Sequence, residues 1–159
     1  MVGQALFSSK KGDWRTPPEL FNLLNDEFRF TCDLAASDDN TPVSDNYFTE
    51  EHSAFAHHWY GTCYCNPPYG RGVGLWIEKA LREAMAGRAT TVMLLPVRTD
   101  TRWFHEYIWP YRQVEVRFLK GRLKFVGAPA SAPFPSMVVI FRTSIPISVV
   151  GALTGAQNA

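Results

Sequence analysis

The sequence is poor in cysteine, has no long apolar run and carries almost no net charge, and each of these absences excludes a class of protein. Its three cysteines in 159 residues, Cys32, Cys63 and Cys65, are too few for a disulfide framework. Taken with His57 and His58, they follow no standard zinc-ligand spacing. We therefore expect reduced, partly buried thiols and no bound metal.

The chain also lacks the segments that would take it to a membrane. No apolar run approaches the roughly 20 residues of a membrane span, and the first residues do not form a secretory signal. We predict a cytoplasmic protein without membrane contact. Its length suits one domain, expected over residues 13–142, with a flexible arm at 1–12 and a loosely ordered tail at 143–159.

Charge is distributed unevenly, although the formal net charge is only +1. Residues 13–60 hold ten acidic and two basic side chains, which leaves −8, whereas residues 98–124 hold seven basic and three acidic ones, which leaves +4. The basic stretch predicts either a rim that faces phosphates or an ordinary solvated face. Charge alone does not choose between them.

Helical and strand patterns alternate along the chain. After Thr16-Pro17-Pro18-Glu19, in which Thr16 is suited to cap a helix, apolar residues recur at a spacing of four as far as Phe28. Other segments predict helices at 53–59, 75–86 and 101–108, and strands at 30–34, 61–65, 90–95, 114–118, 123–125 and 136–141. The order predicts an α/β fold with a parallel sheet and an antiparallel C-terminal portion.

The tetrapeptide Asn66-Pro67-Pro68-Tyr69 follows a predicted strand, where α/β sheets bind ligands. Asn66 supplies a side-chain carbonyl, and two prolines fix the backbone and remove two N–H donors, which leaves the Pro67 carbonyl as a second acceptor. Two acceptors can hold an amino group whose nitrogen lone pair attacks a methyl sulfonium, and Tyr69 offers a face for a planar base. The plainer interpretation is a rigid loop in which the Tyr69 ring only fills space in the core.

With its flanking segments, the chain resembles the small DNA N6-adenine methyltransferases of bacteriophages. The resemblance implies a Rossmann-like class I methyltransferase sheet of reduced size, S-adenosyl-L-methionine as cofactor and double-stranded DNA as partner, acted on by a monomer or a homodimer. The matching segments are Asp13–Pro17, Leu20–Phe21, Phe30–Ala36, Tyr47–Thr49, Trp59, Asn66–Tyr69, Trp76–Ala80, Leu95–Pro96, Thr99–Thr101, Trp103–His105 and Gly121–Phe125.

The same resemblance implies roles for individual residues. Asn66 and the Pro67 carbonyl would hold the N6 of an adenine flipped out of the duplex, with Pro68 completing the turn and Tyr69 stacking on the base. Asp33 would accept from the methionine ammonium of the cofactor, unless it only caps its own turn. The remaining expected cofactor contacts are Trp14, Thr16, Pro17, Ala35 and, for the ribose hydroxyls, Asp45; the expected DNA contacts are Arg98, Arg102, Lys120, Arg122 and Lys124.

Other functions remain open at this point. The same tetrapeptide suits methylation of cytosine N4, RNA guanine or a protein amide. A binding module without turnover, in which Pro-Pro-Tyr is a docking motif, is an alternative of another class. No separate recognition domain fits in the chain, so DNA sequence recognition is expected from residues 44–56 or 127–135, or from a second copy.

Overall fold

The computed structural model describes residues 14–37, 41–43 and 46–143, and a five-stranded mixed sheet forms its centre. The strands lie in the order β1-β2-β3-β5-β4. Strands β1 to β3 are parallel, and β5 is antiparallel to both β3 and β4. In chain order the strands are β1 (Cys32–Asp33), β2 (Gly61–Cys65), β3 (Ala89–Pro96), β4 (Val114–Phe118) and β5 (Ser136–Phe141).

Helices cover both faces of this sheet. They are α1 (Pro18–Phe28), α2 (Val73–Met85) and α3 (Arg102–Tyr107), with a short 3₁₀ turn at Ala54–Ala56. Because strand side chains alternate, Cys63 and Cys65 pack on the side of α2, whereas Tyr64 packs with Phe21 of α1. The fold is therefore the expected Rossmann-like α/β arrangement with antiparallel C-terminal strands.

Strand β3 shows why the core could be located from sequence. Val92, Met93, Leu94 and Leu95 are fully buried, on both faces of the sheet. A strand with helices on both sides has no polar face, which explains its unbroken apolar run. Gly87 follows α2 with φ +75°, the left-handed conformation that glycine adopts without strain after a helix.

Three local predictions were wrong. Thr16 does not cap α1: the residue that precedes the helix is Pro17, and the Thr16 hydroxyl bonds Tyr64 and Asn66 instead. The predicted helix at 53–59 is reduced to the 3₁₀ turn. The segment at 123–125 is not a strand of the sheet: the Leu123 carbonyl accepts from the Ala132 N–H (2.7 Å), and the next residue along, Val126, forms an isolated bridge with Arg15.

Strand β1 is short, and the loop segment 46–48 runs beside it. The Asp33 N–H donates to the Asn46 carbonyl (3.0 Å), the Phe48 N–H to the Asp33 carbonyl (2.8 Å) and the Ala36 N–H to the Phe48 carbonyl (2.9 Å). The loop is thereby tied to the open edge of the sheet. Asp45, the predicted arm at 1–12 and residues 144–159 of the predicted tail lie outside the described residues; Thr143 bonds Thr90.

Within the described ranges, no helix is long and apolar enough to cross a membrane, and no group of three or more His, Cys, Asp or Glu side chains is placed to hold a metal ion. The three cysteines are free and buried. A hydrogen bond with Cys32, and burial, raise the pKa of the Cys63 thiol well above its usual range. This thiol is therefore protonated and unreactive at neutral pH.

Glu83 of α2 is a buried carboxylate that holds three basic side chains. It accepts from Arg88 (2.5 Å), Lys79 (3.3 Å) and His58 (3.3 Å). Burial acts to raise the pKa of Glu83, but these hydrogen bonds outweigh burial and hold it below the ordinary value of 4.5. The network joins the end of α2 to the approach to β2.

We expect Glu83 to make stability depend on acid. A carboxyl whose folded pKa is lowered stabilises the protein above its unfolded pKa, and that contribution is lost as pH falls through the folded pKa. Glu83→Gln should lower the free energy of unfolding by about 1–3 kcal/mol at neutral pH. When urea denaturation is measured over a series of pH values, this variant should also lose less of that free energy than the wild type as the pH falls. The control is Glu78→Gln on the same helix, which loses a pair with the exposed Arg82 and should lose as much unfolding free energy toward acid pH as the wild type. The same acid dependence in Glu83→Gln as in the wild type would contradict the stabilising role of Glu83.

Candidate active site

The tetrapeptide Asn66–Tyr69 begins where β2 ends, at the carboxyl edge of the parallel strands. In the register of the sheet, Asp33 pairs with Tyr64, so the ends of β1 and β2 lie side by side. This edge brings together residues 14–17, 33–35 and 66–69. Asn66 and Trp14 are 52 positions apart in the chain, and the parallel order of β1 and β2 helps to make these segments neighbours.

The side-chain amide of Asn66 is held by its nitrogen. Nδ2 donates to the backbone carbonyl of Trp14 at 2.6 Å and to the hydroxyl of Thr16 at 3.3 Å. Oδ1 is buried and has no hydrogen-bond partner among the described residues. An unsatisfied buried carbonyl costs about 1–3 kcal/mol, so its presence is explained best by a ligand that supplies the missing donor.

The Trp14 carbonyl is placed by the segment that precedes β5. The Val126 N–H donates to the Arg15 carbonyl at 3.0 Å, and the Trp14 ring meets Phe125 edge-on with centroids 4.9 Å apart. The extended segment 121–127 thus fixes the residue that orients Asn66. The sequence resemblance included both segments but did not indicate that one supports the other.

Tyr69 is fixed at both ends of its side chain. Its hydroxyl donates to the Leu94 carbonyl at 3.0 Å, and its ring lies 5.7 Å from Phe134 and 6.4 Å from both Trp14 and Phe125. Burial raises the pKa of the Tyr69 phenol well above its ordinary value of 10, so the hydroxyl stays protonated and remains a donor. The ring is consequently held in one place.

Among the described residues, two cavities adjoin the tetrapeptide, and Ala35 lines both. The larger, about 410 Å³, is bordered by Thr16, Asp33 and Asn66. The smaller, about 330 Å³, is bordered by Pro68, Tyr69, Glu50, Phe55 and Trp76, among others. Each is within the size range of small-molecule pockets, about 300–1,000 Å³.

Asp33 is buried, and one of its oxygens accepts from the Ala35 N–H at 3.1 Å. The turn-capping role that the sequence left open is therefore present, while the carboxyl also borders the larger cavity. Pro17 lies between Thr16 and α1, and the structure does not place it on either cavity lining, whereas Trp14 enters the site through its carbonyl and ring.

The predicted DNA contacts separate into two groups. Arg102 pairs with Glu106 at 2.6 Å on α3, so part of its charge is neutralised within the protein. The other four are exposed and flank the site edge, three of them on the segment before β5: Arg98, Lys120, Arg122 and Lys124. Arg117, which was counted in the basic stretch, is held by Glu27 (2.6 Å) and Glu115 (3.2 Å).

Sequence reasoning missed Tyr64, Glu50, Phe55 and Phe134. Tyr64 had a usable signal, since residues two apart on a strand share a face and Asn66 follows at that spacing. Glu50 stands next to the matched segment Tyr47–Thr49 but was not singled out. Nothing local to Phe134 indicated that its ring would reach Tyr69.

Known proteins resemble this chain in sequence and, more weakly, in structure. A DNA N-6-adenine-methyltransferase of Haemophilus phage HP1 (strain HP1c1) is 28% identical over 150 residues, which cover 87% of this chain and 85% of the phage protein. A solved structure, human methyltransferase 10 domain containing protein, matches 65% of this chain and 50% of its own with a TM-score of 0.40 and 13% identity, a likeness too weak to carry an argument.

The family model for DNA N-6-adenine-methyltransferase (Dam) matches residues 4–155, nearly the whole chain and all three segments of the site. The chain therefore belongs to the DNA N-6-adenine-methyltransferase (Dam) family.

Proposed function

We propose that this protein transfers the methyl group of S-adenosyl-L-methionine to the N6 amine of an adenine in double-stranded DNA, at Asn66-Pro67-Pro68-Tyr69. The observation that carries the proposal is the Asn66 amide, held by its nitrogen while its buried oxygen has no donor among the described residues. An amine in this position finds an acceptor that no group in the described part of the protein uses.

The chain's own groups would act on the amine as follows. Asn66 Oδ1 and the Pro67 carbonyl accept its two N–H bonds, which favours a tetrahedral nitrogen and turns its lone pair outward. Because Oδ1 is shielded from water in this arrangement, the bound amine has to displace a neighbouring group to reach it. The rings of Trp14 and Tyr69 lie 6.4 Å apart, and we propose that the Trp14 ring moves aside so that a flipped base can stack on Tyr69.

The cofactor's chemistry would be an electrophilic methyl group on sulfur, and the two cavities fit its two halves. In the larger one, Asp33 offers a carboxylate to an ammonium group and Thr16 a hydroxyl. In the smaller one, Pro68, Phe55 and Trp76 offer flat apolar surfaces for a purine, and Glu50 can accept from ribose hydroxyls. Asp45 remains a further candidate for that last role.

The test is transfer of a labelled methyl group to DNA followed by nucleoside analysis. We expect the label in N6-methyladenine and in no other nucleoside. Label in cytosine, in RNA or only in protein would overturn the substrate, and DNA binding that is indifferent to S-adenosyl-L-methionine, without transfer, would support a binding module instead.

We expect the exposed basic residues that flank the site to contact phosphates. Lys124→Ala or Arg122→Ala should weaken binding similarly for different DNA sequences and reduce the slope of log affinity against log salt by about 1 each. The measurement is DNA binding by fluorescence anisotropy over a salt series. Arg82→Ala on α2, where Arg82 pairs with Glu78, is the matched control and should leave the slope unchanged; equal slopes in all variants would contradict the assignment.

A further inference from the structure

Tyr64 is a buried phenol two residues before Asn66, on the face of β2 that packs against α1. It is 2% exposed, meets Phe21 edge-on with centroids 5.2 Å apart and lies 5.3 Å from Phe30. These contacts fix the ring. Packing of this kind is equally available to phenylalanine, so the hydroxyl needs an explanation of its own.

That hydroxyl leads to the candidate active site. It lies 2.5 Å from Thr16 Oγ1, which lies 3.3 Å from the Nδ2 of Asn66. Burial raises the pKa of Tyr64 well above its ordinary value of 10, so the phenol keeps its proton throughout the working range. Tyr64, Thr16 and Asn66 therefore form a neutral hydrogen-bonded row that ends at the amide.

The orientation of that amide decides what Asn66 can do. The two ends of an amide have nearly the same shape, but a flip would replace an acceptor with a donor on the side of the target amine. The Trp14 carbonyl, which can only accept, favours the observed orientation. A threonine hydroxyl can either donate or accept, so Thr16 supports this orientation only while it accepts from Nδ2.

Tyr64 gives the Thr16 hydroxyl a partner other than Asn66. If Thr16 donates to Tyr64, both lone pairs on Oγ1 stay available to Nδ2; if Tyr64 donates, one lone pair does. Without the phenol oxygen, the Thr16 hydrogen loses its neighbour at 2.5 Å, and the oxygen of a flipped Asn66 becomes an alternative acceptor for it. The phenol thus biases Thr16 toward the orientation in which Asn66 can accept.

We propose that Tyr64 is a positioning residue that acts through Thr16 to keep the Asn66 oxygen directed at the target amine. The proposal rests on the proposed function, because it concerns the same reaction. Tyr64 itself has no need to touch the base.

The test compares Tyr64→Phe, Thr16→Val, Thr16→Ser and the Tyr64→Phe/Thr16→Val double variant with the wild type. Tyr64→Phe should lower kcat roughly tenfold, the effect expected when a residue that orients a functional side chain through a hydrogen bond is lost. KM for DNA and Kd for S-adenosyl-L-methionine should stay within about twofold of the wild type. Thr16→Ser, which keeps the hydroxyl, should retain most of the activity that Thr16→Val loses. Because Tyr64 acts only through Thr16, the double variant should be no slower than Thr16→Val.

Tyr60→Phe is the matched control, since it removes the same atom from an exposed tyrosine directly before the same strand. A wild-type kcat in Tyr64→Phe, or losses that multiply in the double variant, would overturn the positioning role. If Tyr64→Phe does not fold, as judged by circular dichroism, the comparison of Thr16→Val with Thr16→Ser tests the proposal. Equal kcat values for these two variants would contradict it. Absence of N6-methyladenine with the wild-type protein would instead overturn the proposed function.

Discussion

Replacing Asn66 with alanine is expected to slow adenine methylation by about 100- to 1,000-fold, the usual cost of removing a group that stabilises charge developing in a transition state. The alanine side chain cannot accept from the amine, and the Pro67 carbonyl alone does not direct the nitrogen lone pair. Cofactor binding should stay within about twofold of the wild type, because Asn66 borders the larger cavity but the contacts proposed for the cofactor there are made by Asp33 and Thr16. The measurement is single-turnover methyl transfer together with equilibrium binding of S-adenosyl-L-methionine.

Asn66→Asp is the sharper companion variant. It keeps an oxygen toward the amine but places a second oxygen against the Trp14 carbonyl, where an N–H donor now lies at 2.6 Å. Two acceptors at that distance repel each other, so we expect the aspartate variant to lose most of its activity at neutral pH although it retains an acceptor. Full activity in either variant would remove Asn66 from the reaction.

The second large effect is expected at Tyr69. Tyr69→Ala removes the ring that we propose stacks on the flipped base, and stacking of this kind contributes about 1–3 kcal/mol; kcat/KM for DNA should fall about 10- to 100-fold. Tyr69→Phe keeps the ring and loses only the bond to the Leu94 carbonyl, which should cost less than about tenfold. Steady-state kinetics on one short duplex would measure both. Equal losses in the two variants would show that the hydroxyl, and not the ring, is what matters.

The parts of this molecule that could be predicted from sequence are those whose signal is local. The apolar run of β3 and the glycine after α2 each specify an element within a few residues of themselves. The tetrapeptide at the end of β2 was identifiable as a site for the same reason, because a strand followed by Asn-Pro-Pro-Tyr places an acceptor at a sheet edge.

What could not be predicted depends on partners far away in the chain. Thr16 has the local signature of a helix cap, but its hydroxyl bonds Tyr64, 48 residues further on, and Asn66. The alternation at Leu123 and Phe125 suggested a strand, yet their carbonyls accept from Ala132 and Ala128, and the adjoining Val126 forms an isolated bridge with Arg15. Which hydrogen bonds form at these positions depends on the groups that the folded sheet brings together. A short stretch of sequence does not contain that information.

The loop segment 46–48 that runs beside β1 has a further consequence, for behaviour at high concentration. An uncovered edge strand offers its N–H and C=O groups to any other chain and so invites aggregation. The hydrogen bonds of Asp33 with Asn46 and Phe48 occupy this edge of the sheet, and the same loop continues directly to Thr49 and Glu50 at the smaller cavity. Substitutions that loosen this loop therefore reduce solubility along with any contribution of the loop to the site.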